Sequence, residues 1–474
     1  MFDPVLRRFM DEAPVCVAAR ACLARMLRPE WLDATFRDVA RHQYESKLLF
    51  STLAGLMGRV VLGTRRSVHE AYRHADEGEV AVSITAVNDK LNRLEPDVGA
   101  ALVRRSADEA WAVLDHLPAA CLPPPPLPGY ELRVVDGNHL AGTEHRIAEL
   151  RDTRRAPLPG QALVVLDPRR RLMLDAIPCE DGHAQERSLV PALLGLVNPG
   201  ELWLADRNFC TTAMLCGVRR RGACFLVRQH ASTLTWEEAG PWRDAGRCAT
   251  GRVHEQAVRI WDPQAGGGGG GGGGGWFAAR RVRLTLDEPT RDGDGELCLL
   301  TDLPAEAASA AVVADLYGGR WQVEGAFGEL TTALRCEVET LGYPRAALFA
   351  FRLALLAYNA VSLVRSAMAA AHGGREAVDA TVSTYQMSRE VAATARGMEV
   401  AVPAEAWAAF AAMTPRRFAR ALVALARRME MRRYRKYPRG PKKKRPPPRE
   451  HGRRSKHVST ARLLATRNAN SARP

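Results

Sequence analysis

Apolar residues recur at helical spacing through the first quarter of the chain, in Val17–Leu27 and again in Leu48–Leu62. The spacing predicts a helical region over 1–120. The run Ser83–Leu94 reads as a capped helix with Lys90 and Arg93 on its polar side. It is either a DNA-reading helix or an ordinary amphipathic one, since one charged face does not make a helix-turn-helix. Four consecutive prolines, Pro123–Pro126, then forbid a helix and predict an extended spacer over 121–129. Beyond it the pattern changes to short apolar runs. Tyr130–Val135, Ala162–Leu166, Leu172–Ile177 and Glu201–Ala205 read as strands, with a helix over Ala184–Gly195. Three strands, a helix and a fourth strand match the start of a ribonuclease H-like α/β fold, with its mixed sheet flanked by helices. Residues 223–304 are rich in strand candidates and enclose ten glycines, Gly266–Gly275, which predict a flexible loop. From Ala305 to Arg433 the periodicity is helical again. The core is thus expected over 130–222 and 305–371, interrupted by a β-rich insertion, with further helices over 372–433.

Charge sharpens this outline. The net charge is +14, but residues 427–474 carry 18 Lys and Arg against Glu430 and Glu450. The body is therefore nearly neutral, and 434–474 reads as a disordered polycation. Lys442, Lys443, Lys444 and Arg445 are its densest run and suit a phosphate backbone. The ten cysteines include no C-x-x-C pair, which excludes a zinc ribbon and predicts reduced, mostly buried thiols. The first residues lack an apolar signal core. The most apolar stretch, 346–371, is interrupted by Arg352 and Arg365, with too few residues between them to span a bilayer. A soluble cytoplasmic protein with no membrane partner is expected.

Phosphodiester chemistry on DNA needs carboxylates that converge from distant parts of a chain around two Mg²⁺ (or Mn²⁺) ions roughly 4 Å apart. Asp136 follows Leu132-Arg-Val-Val135, and Asp206 follows Leu202-Trp-Leu-Ala205, each at the end of a predicted strand. Tyr317, Arg320 and Glu324 stand at i, i+3 and i+7, on one face of a predicted helix. In that arrangement Glu324 completes the metal set, Arg320 grips a phosphate and Tyr317 donates to another phosphate oxygen.

These segments resemble the DDE transposases of the insertion-sequence-four type, whose YREK signature runs Tyr, two residues, Arg, three residues, Glu, six residues, Lys. Tyr317, Arg320 and Glu324 match it, the segments around Asp136 and Asp206 are similar to the family's first two acid motifs, and Leu355–Asn359 resembles the helix that follows. The resemblance spans roughly 40–370. The signature Lys falls at Thr331, with Arg335 one turn on as a substitute. The resemblance implies a bacterial, nucleoid-associated enzyme with catalytic and metal-binding Asp136, Asp206 and Glu324. DNA contacts are implied at Arg207, Tyr317, Arg320, Thr331 and Arg335. It also implies recognition of terminal inverted repeats by the N-terminal helices, a homodimer on DNA, cleavage to a 3′-OH, and strand transfer into target DNA. Trp321 is expected to pack in the core and His139 to be incidental. Two other readings use the same residues: a nuclease of this fold that does not join strands, and a degenerate or domesticated chain that only binds DNA.

Overall fold

The computed structural model describes every residue except 1–2, 44–46, 76–77, 152, 231, 266–272, 291–292, 335, 438–456 and 472–474. Arg335, the Lys442–Arg445 run and most of the polyglycine stretch therefore lie outside the described residues.

Seven helices precede the sheet: α1 (Pro4–Glu12), α2 (Pro14–Met26), α3 (Pro29–Val39), α4 (Phe50–Val61), α5 (Val68–Arg73), α6 (Ile84–Arg93) and α7 (Pro96–Leu114). Their starts follow local chemistry. Asp3 accepts from the Val5 and Leu6 amides, Ser83 accepts from the Ala86 amide, and prolines open α1, α2, α3 and α7. In α6, Lys90 turns inward: its Nζ donates to the Leu48 carbonyl (2.6 Å) and lies over the Phe36 ring. That side chain serves the protein's own packing.

The strands are β1 (Glu131–His139), β2 (Ala156–Leu158), β3 (Gln161–Asp167), β4 (Leu172–Cys179), β5 (Glu201–Ala205), β6 (Cys224–Arg228), β7 (Trp236–Glu238), β8 (Arg243–Cys248), β9 (Gly251–Asp262), β10 (Gly275–Leu286), β11 (Glu296–Thr301) and β12 (His457–Ser459). One ten-stranded sheet runs β4-β3-β1-β5-β6-β11-β10-β9-β7, with β8 beside β9. Strands β1, β5 and β6 are mutually parallel; β3 is antiparallel to both β1 and β4. Within the segment expected as an insertion, 223–304, β6 pairs with β5 and β11 pairs with β6, so its strands continue the same sheet. Exposed polar strands such as β8 gave no apolar signal.

Helices α8 (Val190–Leu194) and α9 (Thr212–Arg219) cover one face of the sheet. The predicted helix over Ala184–Gly195 is corrected: a 3₁₀ turn over Glu186–Leu189 precedes α8. Pro191 sits in the first turn of α8, where its missing N–H costs no intrahelical bond. On the other face lie α10 (Ala310–Gly318), α11 (Trp321–Ala333) and α12 (Pro344–Ala371), followed by α13 (Arg375–Thr381), α14 (Thr384–Ala401), α15 (Ala404–Ala411), α16 (Pro415–Ala426) and α17 (Thr460–Ser471).

The period of two along the strands divides the core. Val134, Leu202, Leu204 and Leu226 pack with the N- and C-terminal helices, whereas Val135, Trp203, Ala205 and Phe225 pack with α8 and α9. Strands buried on both faces read as unbroken apolar runs. The first cluster extends from Leu6 to Tyr434, so the proline stretch does not separate two bodies. Cys121 and Leu127 at its flanks are buried. The proline segment itself is free of helix and strand from Leu122 to Gly129.

Helix α12 is long and apolar enough, by length and composition, to cross a bilayer, but its apolar window is almost entirely buried inside the protein. Arg352 and Arg365 are buried too; Arg365 donates to Thr384 and Asp379 (2.6 Å each). Asn359, fully buried, ties α12 to the sheet: its Oδ1 accepts from the Met173 amide (2.8 Å), and its Nδ2 donates to the Met173 carbonyl and Ser106 Oγ.

The tail expectation is corrected at its described stretches, 434–437 and 457–471. Tyr434 is buried and donates to Glu390. Strand β12 pairs with β2, and α17 docks through Arg462 on Asp181 and Arg467 on Glu149. All ten cysteines are free thiols.

Candidate active site

Asp136 shares its parity with Val134, and Asp206 follows Leu204 by two, so both fall on the face covered by α10 and α11. Pairing between β1 and β5 runs to Val134↔Leu204, which sets the two acids side by side just beyond the parallel ladder. Asp206 is the first residue out of β5, and its Oδ1 accepts from the Asn208 amide. Asp136 does not end its strand as expected: β1 continues to His139 because β3 keeps pairing with it.

Glu324 lies on α11. The single helix predicted to carry Tyr317, Arg320 and Glu324 is corrected to two helices. Gly318 and Gly319 weaken the helix, and tightened bonds such as Arg320 N–H to the Tyr317 carbonyl bridge the join. The three side chains still meet. Arg320 Nη2 donates to Glu324 Oε1 (2.8 Å) and Nη1 to Asp136 Oδ2 (3.2 Å). One guanidinium thus joins an acid of the sheet to the acid of the helix. Arg320 is 9% exposed, and its buried Nε has no partner. A second anchor holds α11 in place, where Arg171 pairs with Glu329 (3.0 Å).

The electrostatics follow from crowding. Burial pushes the Asp136 carboxyl up to about 7; Arg320 opposes this, and Asp206 and Glu186 add to it. Burial also raises the Tyr317 phenol to about 12, so it remains a hydrogen-bond donor at physiological pH.

Glu186 is an acid that the strand and helix patterns did not reveal. It opens the 3₁₀ turn before α8, and its Oε2 accepts from Asn208 Nδ2 (3.3 Å). Its carboxylate lies so close over Gly137 that any Cβ there would collide with it. The one local signal was that glycine, immediately after Asp136. Beside Glu186 opens a polar cavity of about 430 Å³ lined by His139, Arg187, Arg207, Asn208 and His230.

The other expected residues fall variously. Arg207 is exposed on the wall of that cavity. Trp321 is corrected: it is 45% exposed, edge-on to the Tyr317 ring and near the Arg320 guanidinium, not in the core. Thr331 is not brought to the acids; its hydroxyl donates back to the Phe327 and Gly328 carbonyls of its own helix.

Residues 127–360 match the family model described as the transposase DDE domain. The match supports a DDE-type transposase. It covers just under half of the chain, begins later than the resemblance read from the sequence, and includes Asp136, Asp206 and Glu324. No curated protein matches the sequence. Among solved structures, a cryo-EM structure of a piggyBac transposase synaptic complex with hairpin DNA is similar at 9% identity. The similarity covers 86% of this chain and 85% of that one, with a TM-score of 0.40, too low to bear on fold or function.

DDE-type transposases imply divalent metal. Asp136 and Asp206 offer hard oxygen donors from adjacent strands, and a cation there would offset the burial, and the lesser repulsion, that hold the Asp136 proton. The donor set therefore fits in chemistry. Among the described residues, however, no group of three His, Cys, Asp or Glu side chains is set to hold a metal as it stands. Arg320 takes one oxygen of Asp136 and one oxygen of Glu324.

Proposed function

We propose that this chain is a metal-dependent DNA transposase of the insertion-sequence-four type, cutting at the ends of a mobile element and joining the freed 3′-OH to target DNA. The observation that carries the reading is the Asp136–Arg320–Glu324 bridge beside Asp206, inside the matched DDE domain. The mixed sheet, with its three strands, helix and fourth strand flanked by helices, supports a ribonuclease H-like core.

In this reading Asp136, Asp206 and Glu324 would hold two Mg²⁺ or Mn²⁺ ions, which would supply an activated nucleophile and stabilise the leaving oxygen. Arg320 has a buried donor without a partner and exchanges its carboxylate contacts for a DNA phosphate. Tyr317 donates to a neighbouring phosphate oxygen, and Arg207 and the exposed ring of Trp321 face the nucleic acid. Lys442–Arg445 add contacts to the backbone that are independent of sequence. The partners are the element's terminal inverted repeats, the target duplex and a second copy of the chain, in a bacterial cytoplasm.

Asp136→Asn, Asp206→Asn and Glu324→Gln should each lower cleavage of a duplex carrying the element's end by about a thousandfold or more in Mg²⁺, with binding retained. Near wild-type cleavage by any of the three would overturn the assignment. A degenerate chain that only binds DNA draws support from Thr331, which brings no charge and is turned to its own helix. Absence of cleavage by the wild type would favour that reading. Failure to join a pre-cut 3′ end, with cleavage intact, would leave a nuclease.

A further inference from the structure

Along α14, Tyr385, Ser388, Arg389, Ala392 and Arg396 recur at spacings that keep them on one side of the helix. That side walls two adjoining cavities of about 380 and 470 Å³, whose linings share Gly63 and Ala392. The first cavity holds Arg389 and reaches Thr331 on α11; the second holds Arg65, Arg66 and Arg396. Together they form one groove between α14 and the loop that joins α4 to α5. Gly63 leaves α4 at φ +76, which glycine adopts without strain. The Arg59 carbonyl then fixes the loop, accepting from Thr64 Oγ1 and from the Arg65 amide (3.0 Å each).

The groove is cationic and incompletely satisfied. Four arginines line it against two acids, Glu70 and Glu337. Arg389 is exposed and, among the described residues, makes no ion pair. Two buried donors on the walls have no partner, the Ser388 hydroxyl and Arg65 Nε, although the Arg65 side chain is only 11% exposed. Buried donors of this kind are costly unless an acceptor reaches them. Arg389 and Arg396 are seven residues apart, roughly 10 Å along a helix that rises about 1.5 Å per residue. That is about three steps of a DNA strand at about 3.4 Å each. Cations spread over such a length suit a chain of phosphates better than a single anion.

We propose that the groove between α14 and the α4–α5 loop binds the phosphate backbone of duplex DNA, with Arg389 on one phosphate and Arg66 and Arg396 on others further along the strand. The inference rests on the DNA-binding reading above and adds to it a contact outside the matched DDE domain. The groove opens beside Thr331, seven residues after Glu324 on the same helix, so DNA seated in it is held close to the acids.

The test is a fluorescence-anisotropy titration of the full chain against a labelled duplex of random sequence at several salt concentrations. Arg389→Gln should reduce the log–log salt slope by about 0.9, and Arg66→Gln combined with Arg396→Gln by up to about 1.8. Adding Thr331→Lys to Arg389→Gln returns a cation to the same cavity from α11 and should recover most of the lost slope; a purely structural role for Arg389 gives no such rescue. Arg7→Gln with Arg8→Gln, on the exposed side of α1, is the charge-matched control and should keep the wild-type slope. If the wild type binds the duplex and the groove variants lose no more slope than the control, the groove is no DNA contact and the inference falls alone. If Arg389→Gln lowers the slope but Thr331→Lys recovers none of it, Arg389 is removed from the backbone contact. If the wild type binds no duplex even at low salt, the DNA-binding reading itself falls.

Discussion

Replacing Asp136 by Asn in the metal-free protein should change how stability depends on pH. Asp136 is mostly buried, with a side chain 16% exposed, and its carboxyl is raised from an ordinary value of 3.8 to about 7. An acid whose folded-state pKa is raised binds its proton more tightly in the native chain than in the unfolded one. Its effect on stability is therefore absent below the ordinary value. It then grows as a penalty while pH rises towards 7, and is constant above that. A shift of some three units at about 1.4 kcal/mol each makes the penalty about 4 kcal/mol at full extent. The amide has nearly the same shape and no charge to desolvate. Wild type and Asp136→Asn should thus be alike near pH 4, with the variant gaining up to about 4 kcal/mol by pH 8. The pull of Arg320 on the carboxylate is already contained in that figure, because it lowers the pKa that burial raises. The assay is urea unfolding at half-unit steps from pH 4 to pH 8 in the presence of a chelator. Millimolar Mn²⁺ should flatten the wild-type profile, since a cation substitutes for the proton. Parallel profiles for the two proteins across the whole range would refute the claim that Asp136 lies in a site that resists its charge.

Two further outcomes follow from other parts of the molecule. Asn359→Ala should destabilise the chain by about 2–4 kcal/mol in urea, because it strands the Met173 amide and carbonyl in a fully buried position; a change below 0.5 kcal/mol would deny Asn359 that role. Changing Lys442, Lys443, Lys444 and Arg445 to Gln should weaken binding to specific and random duplexes alike. It should reduce the log–log salt slope by up to about 3.5, and equal slopes would remove the run from the DNA interface.

The sequence by itself determined those features that depend on neighbours along the chain. Apolar runs leading to Asp136 and Asp206 marked buried strands with an acid just beyond their parallel pairing. The spacing of Tyr317, Arg320 and Glu324 survived an interruption in the helix, because the join at Gly318–Gly319 keeps helical geometry. The charge of the C-terminal region was likewise readable by counting. Tertiary structure decided the rest. Whether α12 was a membrane candidate or a core helix depended on which elements surround it. The extension of β1 past Asp136 depended on β3, and the ordering of 457–471 on β2, Asp181 and Glu149. Trp321 is exposed because α11 presents it outward beside Tyr317, which composition alone does not specify. Glu186 is the clearest case. It lies 50 residues after Asp136 and 20 before Asp206, and only the folding of the 3₁₀ turn across the ladder brings its carboxylate over Gly137. A charged residue in a polar stretch carries no local sign of what it will face, because that depends on packing between distant segments.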